Sequence, residues 1–293
     1  MVSTIFTAGG FHLPVSASAA LGLSFATLTL LAVTAFAAEE PSTAAPLSGQ
    51  LTITGASTIA PLASEIGKRL EETNPDLRID VQTGGSARGV ADVRAGLAAI
   101  GLVSRKLKDD ETDLTAFTIA RDGVGIILNT DNPVSVLTDE QIVDIYLGKI
   151  ANWKDVGGKD APITVVNKAE GRSTLDLFTN YFKLKNSDIK ASVVIGDNQQ
   201  GIKTVAGNHN AIGYVSIGTA EFESEQGTPI KLLPLKGVAA SVENVRNGTF
   251  SLARPLNLVV KAAPEGTVKS FIDFAQSKDV RDLVKEQFFV PLQ

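Results

Sequence analysis

Hydroxyl side chains follow glycines in three loops, and each loop precedes an amphipathic helical pattern; the loops span residues 55–58, 84–86 and 171–174. Glycine lets the backbone approach a ligand closely, and a helix start leaves backbone N–H groups unpaired at the positive end of its dipole. Such a loop suits an anion, and three of them could converge on one. The candidate ligand-binding hydroxyls of these loops are those of Ser57, Thr58, Ser86, Ser173 and Thr174.

Basic side chains near these loops could supply positive charge. Arg105 follows Ser104 at the end of the apolar run 97–103, and Lys168 and Arg172 flank the third loop. The paired donors of a guanidinium match a tetrahedral oxyanion. The ordinary alternatives are a solvated arginine at a strand end and a plain helix cap at each loop. The residues alone leave both interpretations open.

Several classes of function lack the residues that they need. The chain has no cysteine, which excludes disulfides, thiolate metal ligands and cysteine nucleophiles. The only histidine after the N-terminal segment is His209, in a turn-like context, so Ser57, Ser86 and Ser104 have no evident base that would make them nucleophiles. No cluster of His, Asp and Glu has metal-ligand spacing. We therefore expect a protein that is not an enzyme and needs no metal or cofactor.

The net charge of the chain indicates which classes of partner it can bind. The formal net charge is −5, and no basic stripe runs along the chain. Nucleic acid is therefore not an expected partner, because its binding depends on neutralising phosphates with lysine and arginine. An acidic chain can still bind a small anion through local amides and hydroxyls.

The N-terminal segment has the features of an export signal. Its first 38 residues contain no charged side chain, and the apolar stretch 21–33 leads to Ala35-Phe36-Ala37, an A-x-A cleavage pattern. We predict a cleaved signal peptide over residues 1–37 and a periplasmic or secreted mature protein. No lysine or arginine precedes the apolar stretch, so an uncleaved membrane anchor is the alternative.

Along the mature chain, apolar runs alternate with helical patterns, and this alternation predicts an α/β fold. Thr138 and Gln141 form a capping box that predicts a helix over residues 139–146, with Gly148 as its stop. A turn at 131–133 is a candidate crossing into a second lobe, and the run 250–260 is a candidate return. The predicted strands are 51–54, 77–82, 97–103, 124–128, 163–166, 193–195, 212–215 and 256–260.

Eight ordered motifs along the mature chain resemble the phosphate-binding periplasmic proteins of phosphate ABC importers. They are GASTIAPL (55–62), TGGSARGV (83–90), AIGLVSRKL (99–107), DGVGIILNTDNPVSVLT (122–138), IYLGKIANWKDVGG (145–158), AIGYVSIG (211–218), LARPLNLVV (252–260) and FIDFAQSKDVRDLV (271–284). The resemblance implies a two-lobed periplasmic-binding-protein fold, type II-like, with a discontinuous first lobe and a hinge. Lobe 1 would comprise residues 48–127 and 252–293, and lobe 2 residues 128–251.

The resemblance also implies the ligand and the partner. The ligand would be an inorganic oxyanion, phosphate first, with sulfate, molybdate or a phosphonate as alternatives. The partner would be the membrane-bound permease complex of an ABC importer, and the binding protein itself would be a monomer. A surface or sensor protein on the same fold is a further alternative, and a secreted phosphoric-ester hydrolase is a more remote one.

Carried over position by position, the resemblance assigns site residues from both lobes. Lobe 1 would contribute Ser57, Thr58, Ile59, Ser86, Ser104 and Arg105, and lobe 2 Lys168, Arg172, Ser173 and Thr174. The chain departs from the family at Lys168, where an arginine is usual, and at residues 172–174, where Ser-Gly-Thr is usual. Many relatives also have an aspartate at the position of Ser104, and Asp122 is a candidate substitute for it.

Overall fold

The computed structural model describes residues 46–292, which form an α/β structure of ten strands and nine α-helices within that range. The strands are β1 (Gly49–Gly55), β2 (Leu77–Thr83), β3 (Ile100–Val103), β4 (Thr115–Asn129), β5 (Thr164–Lys168), β6 (Val193–Ile195), β7 (Ala211–Ser216), β8 (Ile230–Leu232), β9 (Ala253–Val260) and β10 (Val290–Pro291). The helices are α1 (Ala60–Thr73), α2 (Ser86–Ala95), α3 (Asp139–Tyr146), α4 (Ser173–Phe182), α5 (Asn198–Ala206), α6 (Ile217–Glu225), α7 (Val242–Arg246), α8 (Gly266–Gln276) and α9 (Arg281–Glu286).

The strands follow one another in the order β2-β1-β3-β9-β4-β7-β5-β6, and β8 and β10 pair with β4 outside this path. The long strand β4 joins the two halves of this order. Its residues 115–123 pair with β9, and its residues 124–128 pair with β7, both antiparallel. The strands β1, β2 and β3 pair in parallel, as do β5, β6 and β7, so each half carries its own parallel set.

Two large hydrophobic cores lie on either side of the point at which β4 stops pairing with β9 and begins to pair with β7. The first core draws its residues from segments 51–120 and 256–289, and the second core from segments 124–252 together with Val290. Trp153 belongs to the second core, where it is 1% exposed and its indole N–H donates to the Asn210 carbonyl at 2.9 Å. Each core is thus built mainly from one side of the point at which β4 changes its neighbour.

Local sequence signals explain most of the element boundaries. The capping box of Thr138 and Gln141 is present at the start of α3, as predicted. The apolar positions of α1 form its buried face, and a proline lies in its first turn, where it is tolerated because its missing N–H would be unpaired anyway. The predicted α/β class is confirmed.

One strand is shorter than the sequence predicts. The run 97–103 is predicted to be extended throughout, but β3 begins only at Ile100. Gly96 adopts a left-handed conformation at the end of α2, and the N–H of Leu97 still bonds back to Asp92 of that helix. Leu97 is therefore 70% exposed, and its apolar side chain adds nothing to the strand.

The predicted signal peptide, residues 1–37, lies outside the described residues. Within residues 46–292, no helix combines the length and apolar character needed to span a bilayer.

Candidate functional site

The three glycine and hydroxyl loops meet around one small cavity. They connect β1 to α1, β2 to α2 and β5 to α4. The volume of this cavity is about 10 Å³. Eight of the ten residues expected from the sequence line this cavity: Ser57, Thr58, Ser86, Ser104, Lys168, Arg172, Ser173 and Thr174.

The three helices that follow the glycine and hydroxyl loops, α1, α2 and α4, have no side-chain cap. Among the other helices, α3, α5, α6 and α7 are each capped by a side chain, and α8 and α9 are not. The backbone N–H groups of the cavity hydroxyl residues at these starts donate to no acceptor in the described part of the chain. An oxyanion is the ligand that such converging N–H groups and helix dipoles favour.

The loops also contact one another directly across the cavity. The hydroxyl of Ser173 is hydrogen-bonded to that of Ser86 and, at 2.8 Å, to that of Ser104. The Ala87 N–H donates to the Gly171 carbonyl at 3.1 Å. Ser86 and Ser104 flank elements of the first core and Ser173 begins a helix of the second, so these bonds join the two sides of the cavity.

Lys168 is a buried cation in the cavity wall. Its ammonium donates to the Asp197 carbonyl at 2.7 Å and to Asn198 Oδ1 at 3.1 Å, both uncharged oxygens. Burial lowers the pKa of Lys168 to about 7, with the nearby cations Arg254 and Arg172 acting in the same direction and the Asp197 carboxylate opposing them. A negative ligand in the cavity would stabilise the charged form.

Arg172 supplies a second cation. Its side chain passes Gly85 and Gly196: a Cβ on these glycines would lie 2.9 Å from Arg172 Cδ and 3.4 Å from Arg172 Nη2, respectively. The guanidinium makes no ion pair or hydrogen bond with any residue in the range 46–292. Its paired donors are thus available to an oxyanion at the cavity.

Sequence reasoning missed Arg254, which lies directly behind the cavity wall. Its side chain is about 1% exposed and forms an ion pair of 2.8 Å with Asp122, which is equally buried. The guanidinium also donates to Thr174 Oγ1 at 3.0 Å, to Thr58 Oγ1 at 3.3 Å and to Ser104 Oγ at 3.4 Å. The signal was present in the sequence, because an arginine at the head of an apolar strand has to be paired once it is buried.

Asp122 is the candidate substitute for the family's aspartate, but its carboxylate is hydrogen-bonded to groups outside the cavity. Its Oδ2 accepts two bonds from Arg254, and its Oδ1 accepts the Gly218 N–H at 3.2 Å. It is not among the residues that line the cavity.

Arg105 and Ile59 are expected in the site from the resemblance, but neither lines the cavity. Arg105 forms a two-pronged, buried ion pair with Glu111, both contacts being 2.7 Å, and its Nε lies 3.4 Å from Asp176. Ile59 is fully buried in the first core, and its N–H donates to the Ala56 carbonyl at 3.1 Å. In the structure, a neighbouring carboxylate thus binds the guanidinium of Arg105, and Ile59 packs in the first core.

Asn198 is a further cavity residue that sequence reasoning missed. Its Nδ2 donates to Thr58 Oγ1 at 3.1 Å, and its Oδ1 accepts the bond from Lys168. Asp197, which caps α5, lines the same wall. Nothing in the local sequence distinguishes this Asp-Asn pair from an ordinary helix start.

Comparison with known proteins places the chain in a family. Residues 40–279 match the model of the PBP superfamily domain. The phosphate-binding protein PstS of Bacillus subtilis is 30% identical over 250 residues, which cover 84% of this chain and 81% of that protein.

Solved structures give the same result. The crystal structure of a phosphate ABC transporter substrate-binding protein from Clostridium perfringens, with bound phosphate, is 32% identical and superposes with a TM-score of 0.76 over 84% of this chain and all of that one. An ABC-type phosphate transport receptor from Vibrio cholerae is 28% identical, with a TM-score of 0.67 over 83% of this chain and all of that one. The fold is therefore the two-lobed fold of periplasmic binding proteins.

Proposed function

Because this chain belongs to the PBP superfamily and, within it, to the family of PstS phosphate-binding proteins, we propose that it captures inorganic phosphate for uptake. The observation that carries the proposal is the cavity at which three uncapped helix starts meet beside Lys168 and Arg172. Unpaired N–H groups, hydroxyls and two cations together match the charge and shape of a tetrahedral oxyanion.

We assign the lobes to residues 48–127 with 252–293 and to residues 128–251. The two hydrophobic cores support a division of this kind, with the change of core falling between Ala120 and Val124 and again between Leu252 and Leu256. The chain passes between the lobes within β4 and again where β9 begins. Rotation about these two crossings would open and close the cavity, a hinge closure of the kind that binding proteins use.

We further propose that the protein works outside the cytoplasm and delivers its ligand to the permease complex of an ABC importer. The apolar, uncharged segment before Ala35-Phe36-Ala37 supports export. The similarity to phosphate transport proteins of Clostridium perfringens and Vibrio cholerae supports the transport role.

Binding without catalysis is part of this proposal. Activation of a serine nucleophile requires a base, and His209 is exposed at the surface, 3.6 Å from Asp131. A phosphatase assay on the purified protein tests this part: turnover that disappears in Ser57→Ala would favour a hydrolase instead.

Calorimetry of the purified mature chain with phosphate, sulfate and molybdate, each at pH 6 and pH 8.5, tests the ligand assignment. We expect one phosphate per chain with the highest affinity of the three anions. Tighter binding of sulfate or molybdate would reassign the ligand, and no binding of any anion would refute the proposal.

A further inference from the structure

Arg254 contacts the anion cavity only through other side chains. Its Nη1 donates to Thr174 Oγ1, and its Nη2 donates to Thr58 Oγ1. Thr174 lies at the start of α4, and Thr58 lies in the loop before α1, so one guanidinium serves both sides of the cavity. Asp122, its directly paired partner on β4, fixes the guanidinium from behind through Nε at 3.1 Å and Nη2 at 2.8 Å.

These bonds restrict what the two hydroxyls can do. A hydroxyl has one proton to donate and two lone pairs that accept. Thr58 Oγ1 accepts from both Arg254 and Asn198, so its lone pairs are in use and only its proton remains. Thr174 Oγ1 accepts from Arg254, and neither hydroxyl donates to an acceptor within residues 46–292. Both oxygens belong to residues that line the cavity.

On the basis of the proposed anion capture, we propose that Arg254 is a positioning residue that fixes the Thr58 and Thr174 hydroxyls as hydrogen-bond donors to the ligand. The guanidinium occupies acceptor lone pairs and polarises both O–H groups, which strengthens the bonds that they donate. The two hydroxyls then recognise unprotonated oxygens of the ligand. A protonated ligand oxygen would find no acceptor on Thr58.

A purely structural role for the pair is the competing interpretation, because Asp122 and Arg254 also join β4 to β9. Removing Arg254 alone would leave the Asp122 carboxylate buried without a cation, which is strongly destabilising. The test therefore uses the double variant Asp122→Asn/Arg254→Met as its background, so that both buried charges disappear together. Arg254→Lys, which keeps a charge near Asp122, is the second variant in case the double variant does not fold.

In this test, phosphate affinity is measured by calorimetry for Thr174→Val and Thr58→Val, each in the wild type and in the background variant. We expect each valine to weaken binding about tenfold or more in the wild type, as for a hydrogen bond to a charged group. In the background variant the hydroxyls are no longer held as donors, so we expect each valine substitution to reduce phosphate affinity by no more than about threefold. In Arg254→Lys, which cannot make both contacts at once, the losses should be intermediate.

Ser57→Ala is the matched control, because Ser57 lines the same cavity and has no hydrogen bond to Arg254. Ser57→Ala should reduce phosphate affinity by the same factor in the wild type and in the background variant. If Thr58→Val and Thr174→Val each reduce phosphate affinity equally in the wild type and in the background variant, Arg254 does not position these hydroxyls. The proposed function would then remain intact, because the wild type still binds phosphate. Absence of phosphate binding by the wild type would instead overturn the proposed function and this inference with it.

Discussion

Gly85 lies so close to Gly171 that a Cβ on Gly85 would be 2.7 Å from the Gly171 carbonyl oxygen. The same Cβ would be 2.9 Å from Arg172 Cδ, and the φ of Gly85 is +95°, a value that disfavours other residues. The contact joins the loop before α2 to the loop before α4. Any side chain at residue 85 therefore separates the two sides of the cavity.

We expect Gly85→Ala to weaken phosphate binding by at least about tenfold, because the added Cβ would collide with the Gly171 carbonyl and push apart two loops that form the cavity. The backbone strain at residue 85, about 1–3 kcal/mol, would in addition lower the stability of the fold. Gly157→Ala is the control, since Gly157 has a similar φ of +84° but a Cβ there would have no other atom within 4 Å. Calorimetry would measure affinity, and thermal unfolding would measure stability. Similar losses of affinity in both variants would show that strain alone, rather than the contact with Gly171, is responsible.

Ser86→Ala should lose a hydrogen bond to a charged ligand and weaken phosphate binding by about 1.5–3 kcal/mol. Ser86 is fully buried at the cavity, where its hydroxyl contacts Ser173. Ser187→Ala, at an exposed serine, serves as the control. Unchanged affinity in Ser86→Ala would remove the loop before α2 from the site.

We expect phosphate binding to depend on pH through the ammonium of Lys168. The pKa of Lys168 is lowered to about 7 by burial, so the ammonium loses its proton as the pH rises above 7, and a bound anion raises that pKa again. Binding at pH 8.5, where phosphate is nearly all dianion, should therefore take up about one proton per anion. Above pH 7 the affinity should fall by up to about tenfold per pH unit.

Calorimetry at pH 8.5 in two buffers of different ionisation enthalpy measures this proton uptake. Lys168→Arg should bind phosphate without it, because arginine stays charged throughout this range. Lys203→Arg, at an exposed lysine of α5, should behave as the wild type does. Uptake near zero in the wild type would mean that the anion does not change the protonation state of Lys168, which would contradict this prediction.

Arg105→Met tests the reassignment of Arg105 from the anion site to a structural ion pair. Removing one partner of a buried pair leaves Glu111 uncompensated and should lower the free energy of unfolding by about 3–5 kcal/mol. The guanidinium of Arg105 also lowers the pKa of Glu111 through its hydrogen bond, against the effect of burial, so the destabilisation should lessen as the pH falls and Glu111 protonates. Urea unfolding at pH 7 and pH 4 measures both effects. A large loss of phosphate affinity with unchanged stability would return Arg105 to the site.

Much of the fold could be predicted because its signals are local. The strand, loop and helix units around residues 55–58, 84–86 and 171–174 each depend on neighbours within a few positions. The ion pair of Arg105 could also have been predicted from a local signal, since Glu111 lies only six residues away.

The missed residues depend on contacts between distant segments. Asn198 meets Thr58 across 140 positions, and Arg254 meets Thr58 across 196. No periodicity or spacing reports such a contact, because it arises only when the strand order brings β9 and the start of α5 to the same cavity. What the sequence does indicate is narrower: a charged side chain at the head of an apolar strand requires a partner.

The position of Trp153 decides how this protein can be observed in solution. It is the only tryptophan of the chain, it lies in the second core, and it is not among the residues that line the cavity. Its indole emission will therefore follow the loss of that core during denaturation and will respond little to a titrated anion. An optical reporter of occupancy has to be introduced beside the cavity, and the natural lack of cysteine leaves a single engineered thiol free to carry it.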